Sequence, residues 1–151
     1  MTENNYQRVG AKSNAHAGRE FENKIQEYFY KKGIKLRNRM FIDIGVSKIK
    51  KPHEFDLGSD ASKIIVECKS HTWTASDKVP SAKMTTWDQA MYYFAISPKG
   101  YRKVFMVLRD YSKSRKVTLC EYYIRIKPHL IPDDVEIWEY DEEKQTARKM
   151  K

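Results

Sequence analysis

Asp56, Glu67 and Lys69 are the residues of this chain best suited to chemistry, because the sequence around them reads as a β-hairpin. Ile64 to Cys68 is β-branched and apolar apart from Glu67, which predicts a strand buried on at least one face. Alternate side chains of a strand share a face, so Glu67 and Lys69 point one way while Ile64, Val66 and Cys68 point the other. Phe55-Asp56-Leu57 makes the preceding strand, and Gly58-Ser59-Asp60-Ala61-Ser62 supplies the turn residues between them. A tight turn centred on Ala61-Ser62 sets Asp56 directly opposite Glu67. Cross-strand partners share a face with Cβ atoms roughly 4.5–5.5 Å apart. Two carboxylates that close repel unless a cation lies between them, and a hard divalent ion prefers such oxygen donors. The plainer reading is a surface ion pair of Glu54 with Lys69 that leaves Asp56 and Glu67 as solvated acids.

An acid, a spacer, and then Glu67-Cys68-Lys69 on the next strand resembles the PD-(D/E)xK nuclease superfamily. Asp56 matches its first acid, Glu67 its second and Lys69 its lysine, while Phe55 stands where the family name has Pro. The resemblance spans roughly residues 17 to 140 and implies a restriction-endonuclease-like core, a mixed sheet flanked by helices. It also implies a Mg²⁺ site, with Mn²⁺ as a substitute, held by Asp56, Glu67 and the backbone carbonyl of Cys68. Holliday-junction resolvases and Mrr-type restriction enzymes carry an acid on the first helix. Gly18-Arg19-Glu20-Phe21-Glu22 is similar to that pattern and implies Glu22 as a further metal or outer-shell acid, with Glu20 as runner-up. An acid in a first helical turn is also favoured by the helix dipole alone. Gln89-Ala90-Met91-Tyr92-Tyr93 looks like the Gln-x-x-x-Tyr element of RecB-type nucleases and implies Gln89 in the catalytic set. Thr86-Trp87-Asp88-Gln89 also reads as a capping box, which would account for that glutamine as a helix start.

The rest of the chain must position these groups. Phe21, Ile25, Tyr28 and Phe29 fall on one helical face, so a helix is expected over about Gly18 to Lys32, ended by Gly33. Ile34 to Ser47 reads as a strand or bent hairpin arm. A Ser/Thr/Lys-rich loop follows from Thr74 to Lys83, then a helix over Thr86 to Ile96 broken by Ser97-Pro98-Lys99-Gly100. Val104 to Leu108 has the apolar run of a central strand. A third helix is expected over Val117 to Lys127, and a last strand over Val135 to Tyr140. The order helix, three strands, helix, strand, helix, strand argues for an α/β fold around one mixed sheet. His71 continues the Glu67-Lys69 face, where it either meets phosphate or is satisfied by a neighbour. Trp73 is expected in the core.

Composition bounds the partners. The 151 residues suit a flexible tail at 1–15 and one domain at 16–151; 40% are hydrophobic and 13% aromatic, as in a folded chain. The formal charge of +9 suggests a polyanion such as DNA. No apolar run approaches a membrane span, no signal peptide is apparent, and two cysteines suit a reduced, cytoplasmic protein. No zinc spacing, phosphate loop or RNP-like pattern occurs. Eight bases between Lys31 and Lys51 oppose Asp43 alone, whereas Asp133 to Glu143 holds seven acids and no base. The basic run either draws phosphates or is solvated surface; the acidic run is expected to be solvated.

These readings converge on a divalent-metal-dependent DNA endonuclease, restriction-type or phage-related. Because one site cuts one strand, a homodimer is expected on duplex DNA. A structure-specific nuclease acting on junctions, and a non-catalytic nucleic-acid-binding module, are the alternatives. Phosphodiester hydrolysis needs an activated water and neutralised phosphate charge, roles that fall to the metal site and Lys69.

Overall fold

The computed structural model describes residues 14–151. Helix α1 (Asn14–Lys31) leads to strands β1 (Arg37–Ile44), β2 (Lys51–Ser59) and β3 (Ile64–Lys69). Helix α2 (Ser81–Ala95), strand β4 (Arg102–Leu108) and the short strands β5 (Tyr111–Ser112) and β6 (Val117–Thr118) follow. The chain ends with α3 (Leu119–Ile126), a 3-10 turn (Pro128–Leu130), β7 (Val135–Asp141) and β8 (Thr146–Lys149). Six strands form one sheet in the order β1-β2-β3-β4-β7-β8. β3, β4 and β7 run parallel, and the other pairings are antiparallel. This is the mixed sheet between helices that the order of elements called for.

Each face of the sheet has its own core. Phe21, Ile25 and Phe29 of α1 are spaced i, i+4, i+8 and pack on Leu57, Ile64, Val66, Cys68, Val104 and Met106. Trp87, Met91 and Phe94 of α2 and Tyr123 of α3 cover Phe55, Ile65, Phe105, Val107 and Ile137 on the other face. Alternation along β3 and β4 thus sorts side chains between two layers, as a strand buried on both faces requires. Gly33, at φ 87°, closes α1 with Ile34 N–H donating to Phe29 O and Gly33 N–H to Tyr30 O. That left-handed stop is the one its sequence position called for.

Several boundaries differ from expectation. α1 starts at Asn14, four residues before the expected Gly18; the expected tail at 1–15 falls almost entirely on residues 1–13, which lie outside the described residues. α2 begins at Ser81, because the Pro80 carbonyl accepts from Lys83 N–H and Met84 N–H and starts the turn. Thr86 is therefore inside the helix, its hydroxyl donating to Lys83 O, and it caps nothing. The capping box belongs instead to α3, where Thr118 accepts from Glu121 N–H and Glu121 accepts from Thr118 N–H. β8 escaped the sequence reading because this edge strand is polar and exposed, with no apolar alternation to mark it.

The most consequential departure lies in the first hairpin. Leu57 packs in the α1 layer and Phe55 in the α2 layer, although residues i and i+2 of a regular strand share a face. β2 therefore turns over at Asp56. β1 does the same across from it: Arg39 takes φ 58° between the pairs Asn38↔Leu57 and Met40↔Phe55. Gly58 makes room for this, since a Cβ there would lie 2.9 Å from Met40 side-chain atoms.

Candidate active site

The turned-over strand opens the sheet where the candidate residues lie. β2 pairs with β3 only through Ser59↔Ile64, Gly58↔Ile65 and Leu57↔Val66. One more step of that register sets Asp56 across from Glu67, as the turn centred on Ala61-Ser62 requires. The backbone ladder stops there. Cys68 N–H donates to Asp56 Oδ2 at 2.8 Å, so a side-chain carboxylate takes the place of a strand carbonyl. The two strands part around Asp56, Glu67 and Lys69.

The carboxyls do not form the flat cross-strand pair expected from alternation alone. Asp56 leans toward α1, where it hydrogen-bonds with Glu22. Glu67, 6% exposed, shares the α2 face with Ile65 and extends toward His53. Three acids from three elements thus meet at one opening. Burial, then the charge of Glu67, push the Asp56 carboxyl up to about 8, against the opposing Cys68 N–H and Lys69 charge. Burial also raises Glu22, followed by the charges of Glu67 and Glu54, while Arg19 and the bond to Asp56 act the other way. At neutral pH this cluster keeps a proton on Asp56 because nothing in the chain neutralises it fully.

Lys69, half-buried at the end of β3, pairs in register with Val107 of β4 and is close enough to Asp56 to lower its pKa. The Cys68 thiol is packed in the α1 layer, and burial followed by the charge of Asp56 pushes its pKa well up. Only its backbone remains to serve a metal. Cys68 and Cys120 are both free and buried. Glu20 lies within 3.4 Å of His16 on α1, while Glu22 is the helix acid that interacts with Asp56 and Glu67. Glu54 bonds to Arg39 at 3.0 Å, not to Lys69, which removes the surface ion pair that would have explained the motif away.

α2 closes the other side. Gln89 is exposed, and one helical turn later Tyr93 stacks on His53 with ring centroids 4.1 Å apart. The Gln-x-x-x-Tyr face is thereby turned toward the site, with Tyr93 rather than Gln89 making the contact. His71 accepts from Trp87 Nε1 at 2.9 Å through Nδ1, and burial, then the charges of Lys69 and Lys83, lower it to about 4. It is a neutral residue satisfied by its neighbour. Trp73 is core, its backbone and indole both bonded to Asp110.

Sequence reasoning missed His53 as part of the site and reached Tyr93 only as the tyrosine of the Gln-x-x-x-Tyr resemblance. His53 stands three residues before Asp56, and the aromatic contact that fixes it comes from α2, forty residues away. The acidic run is exposed at Asp133, Asp134, Glu142 and Glu143, as expected of a solvated run, even where Asp134 pairs with Lys103 and Glu142 with Lys24; the exception is Glu139, which is buried. The bases of the Lys31–Lys51 run are all exposed.

Among the described residues, no group of three or more His, Cys, Asp or Glu side chains is placed to hold a metal ion. The donor set still fits a hard divalent ion, which binds through one or two carboxylates and completes its shell with water and phosphate oxygens. The proton held by Asp56 is what such an ion would replace. No protein-family model, curated protein or solved structure matches the chain. No helix of the described residues is long and apolar enough to cross a membrane.

Proposed function

We propose that this protein is a divalent-metal-dependent DNA endonuclease of the PD-(D/E)xK kind. The observation that carries the reading is the parted hairpin, in which Asp56 takes the Cys68 N–H and gathers Glu22, Glu67 and Lys69 at one opening. A structural role for that cluster is hard to sustain, since three acids that repel one another weaken a fold unless something positive joins them.

Asp56 and Glu67, with the backbone carbonyl of Cys68, would hold Mg²⁺ or Mn²⁺, and Glu22 would serve its outer shell. When bound, the ion acidifies water and draws charge from the phosphate. Lys69 orients the attacking water and offsets negative charge as it develops on the phosphate. Cys68 N–H holds the Asp56 carboxylate in place, so the backbone itself fixes one ligand. Arg19, whose charge acts on Glu22, and Lys83, whose charge acts on His71, supply positive charge near the site that a DNA backbone could meet. The substrate is duplex DNA, cut by a homodimer in a restriction-type or phage-related setting within the cell.

The test incubates the protein with plasmid, single-stranded and four-way-junction DNA in Mg²⁺, Mn²⁺ or EDTA. Metal-dependent cutting is expected, lost by about 10²–10⁴-fold in Lys69→Ala and abolished in Asp56→Ala. Cutting that survives both substitutions removes the site assignment. Tight binding with no cutting in any metal replaces the enzyme with a binding module, and a preference for the junction moves it to the structure-specific branch.

A further inference from the structure

Among the described residues, two buried side-chain polar atoms lack a hydrogen-bond partner, and they face each other. His53 Nε2 and Glu67 Oε1 are 3.6 Å apart, just beyond hydrogen-bonding reach. The surroundings of both are otherwise well ordered by packing. The His53 ring lies between Phe55, edge-on at 4.6 Å, and Tyr93, at 4.1 Å. His53 is also held in register with Ile42 of β1, so its ring sits on a strand and not on a loop. Its Nε2 is therefore aimed at Glu67 by three elements at once. The Glu67 side chain is 8% exposed and is crowded by Asp56 and Glu22, so water has little access to satisfy it.

We propose that His53 is a positioning residue for Glu67: its Nε2–H grips Oε1, which fixes the carboxylate and leaves the other oxygen for the cation. The proposal rests on the metal-site reading above and adds the part that makes Glu67 a directed ligand. A shift of about 0.6–0.8 Å between the two groups closes the contact to an ordinary hydrogen bond. Carboxylates that bind metals are themselves hydrogen-bonded from behind, which holds them in the binding orientation and strengthens the site. The neutral imidazole suffices, because only one N–H is needed. Tyr93 gains a task in the same arrangement: as the wall behind the His53 ring, it links α2 to the metal site without touching substrate.

Calorimetry of Mn²⁺ binding to the full-length protein without DNA tests this, together with melting in EDTA and cleavage as a function of metal concentration. His53→Ala is expected to weaken Mn²⁺ binding roughly 10–100-fold, while kcat at saturating metal returns toward that of the wild type. His53→Gln, which keeps a donor on a similar reach, is expected to recover much of the affinity. Tyr93→Leu frees the ring without removing it and is expected to give a smaller loss; it also stands in if His53→Ala does not fold. Unchanged Mn²⁺ affinity in folded His53→Ala overturns the proposal. So does nitrogen coupling from an imidazole in the EPR spectrum of the bound Mn²⁺, which would make His53 a ligand. Wild-type protein that binds Mn²⁺ but cuts no DNA ends the nuclease reading and leaves the anchor standing. Protein that binds no Mn²⁺ ends both.

Discussion

Glu67 on β3 and Glu139 on β7 are buried acids two strands apart in one sheet, and the protein treats them in opposite ways. Glu139, 1% exposed, accepts from the Thr118 hydroxyl and from Arg148 at 3.3 Å, with Arg109 at 4.0 Å. Its charge is answered entirely from within the chain. Glu67 is nearly as buried, yet one oxygen has no partner, and its neighbours are Asp56 and Glu22. Both acids were desolvated at similar cost, so the difference lies in what was built around them. At Glu139 the surroundings belong to stability. At Glu67 they leave one oxygen without a bonded partner beside two further acids.

The contrast is sharpest in mutants of opposite sign. Glu139→Ala strands Thr118 and removes the counter-charge of two arginines, and is expected to destabilise by about 2–3 kcal/mol, or roughly 5–10 °C in Tm. Its Mn²⁺ affinity should stay that of the wild type; a shared loss of both would merge the two regions into one. Asp56→Asn removes a repelling acid but keeps an oxygen to accept from Cys68 N–H. Discounted for partial exposure, it should raise the metal-free Tm by about 2–4 °C, near 1 kcal/mol, while cleavage is lost. A lower Tm would mean that the acids at the opening are not in conflict.

The gain in Asp56→Asn should depend on pH. The folded protein holds the Asp56 proton up to about 8, whereas the unfolded chain releases it near 3.8. Between those values the native state binds more protons, so this group's stabilisation is full below about 4 and is lost as pH rises toward about 8. The Tm difference between Asp56→Asn and wild type is expected to widen across that window in EDTA and to shrink with Mg²⁺, followed by thermal melts at several pH values. A difference that is flat with pH would sink the assignment of the proton to Asp56. The smallest effect is Arg148→Ala: with its arginine largely exposed, about 0.5–1 kcal/mol is expected in a urea melt, and a loss several times larger would show that Thr118 and Arg109 cannot hold Glu139 alone.

Much of the local structure could be read directly. The i, i+4, i+8 face of Phe21, Ile25 and Phe29, the Gly33 stop, the apolar run of β4 and the register of the β2–β3 turn depend on neighbours within a few residues. The bend at Asp56 could not be read, because it needs Arg39 in a left-handed conformation on another strand and Gly58 to admit Met40. Nor could the start of α2, where a proline carbonyl overrode a capping signature five residues on.

The same division runs through the site. The order of side chains determined that an acid, a second acid and an amine would meet across one hairpin, since strand alternation and turn length fix such pairings locally. Which buried acids would be neutralised and which left wanting was decided only in three dimensions. Thr118, Arg109 and Arg148 reach Glu139 from three separate segments, while Glu22 and His53 reach Asp56 and Glu67 from two others. Charge compensation acts over a few ångströms through space and is indifferent to distance along the chain.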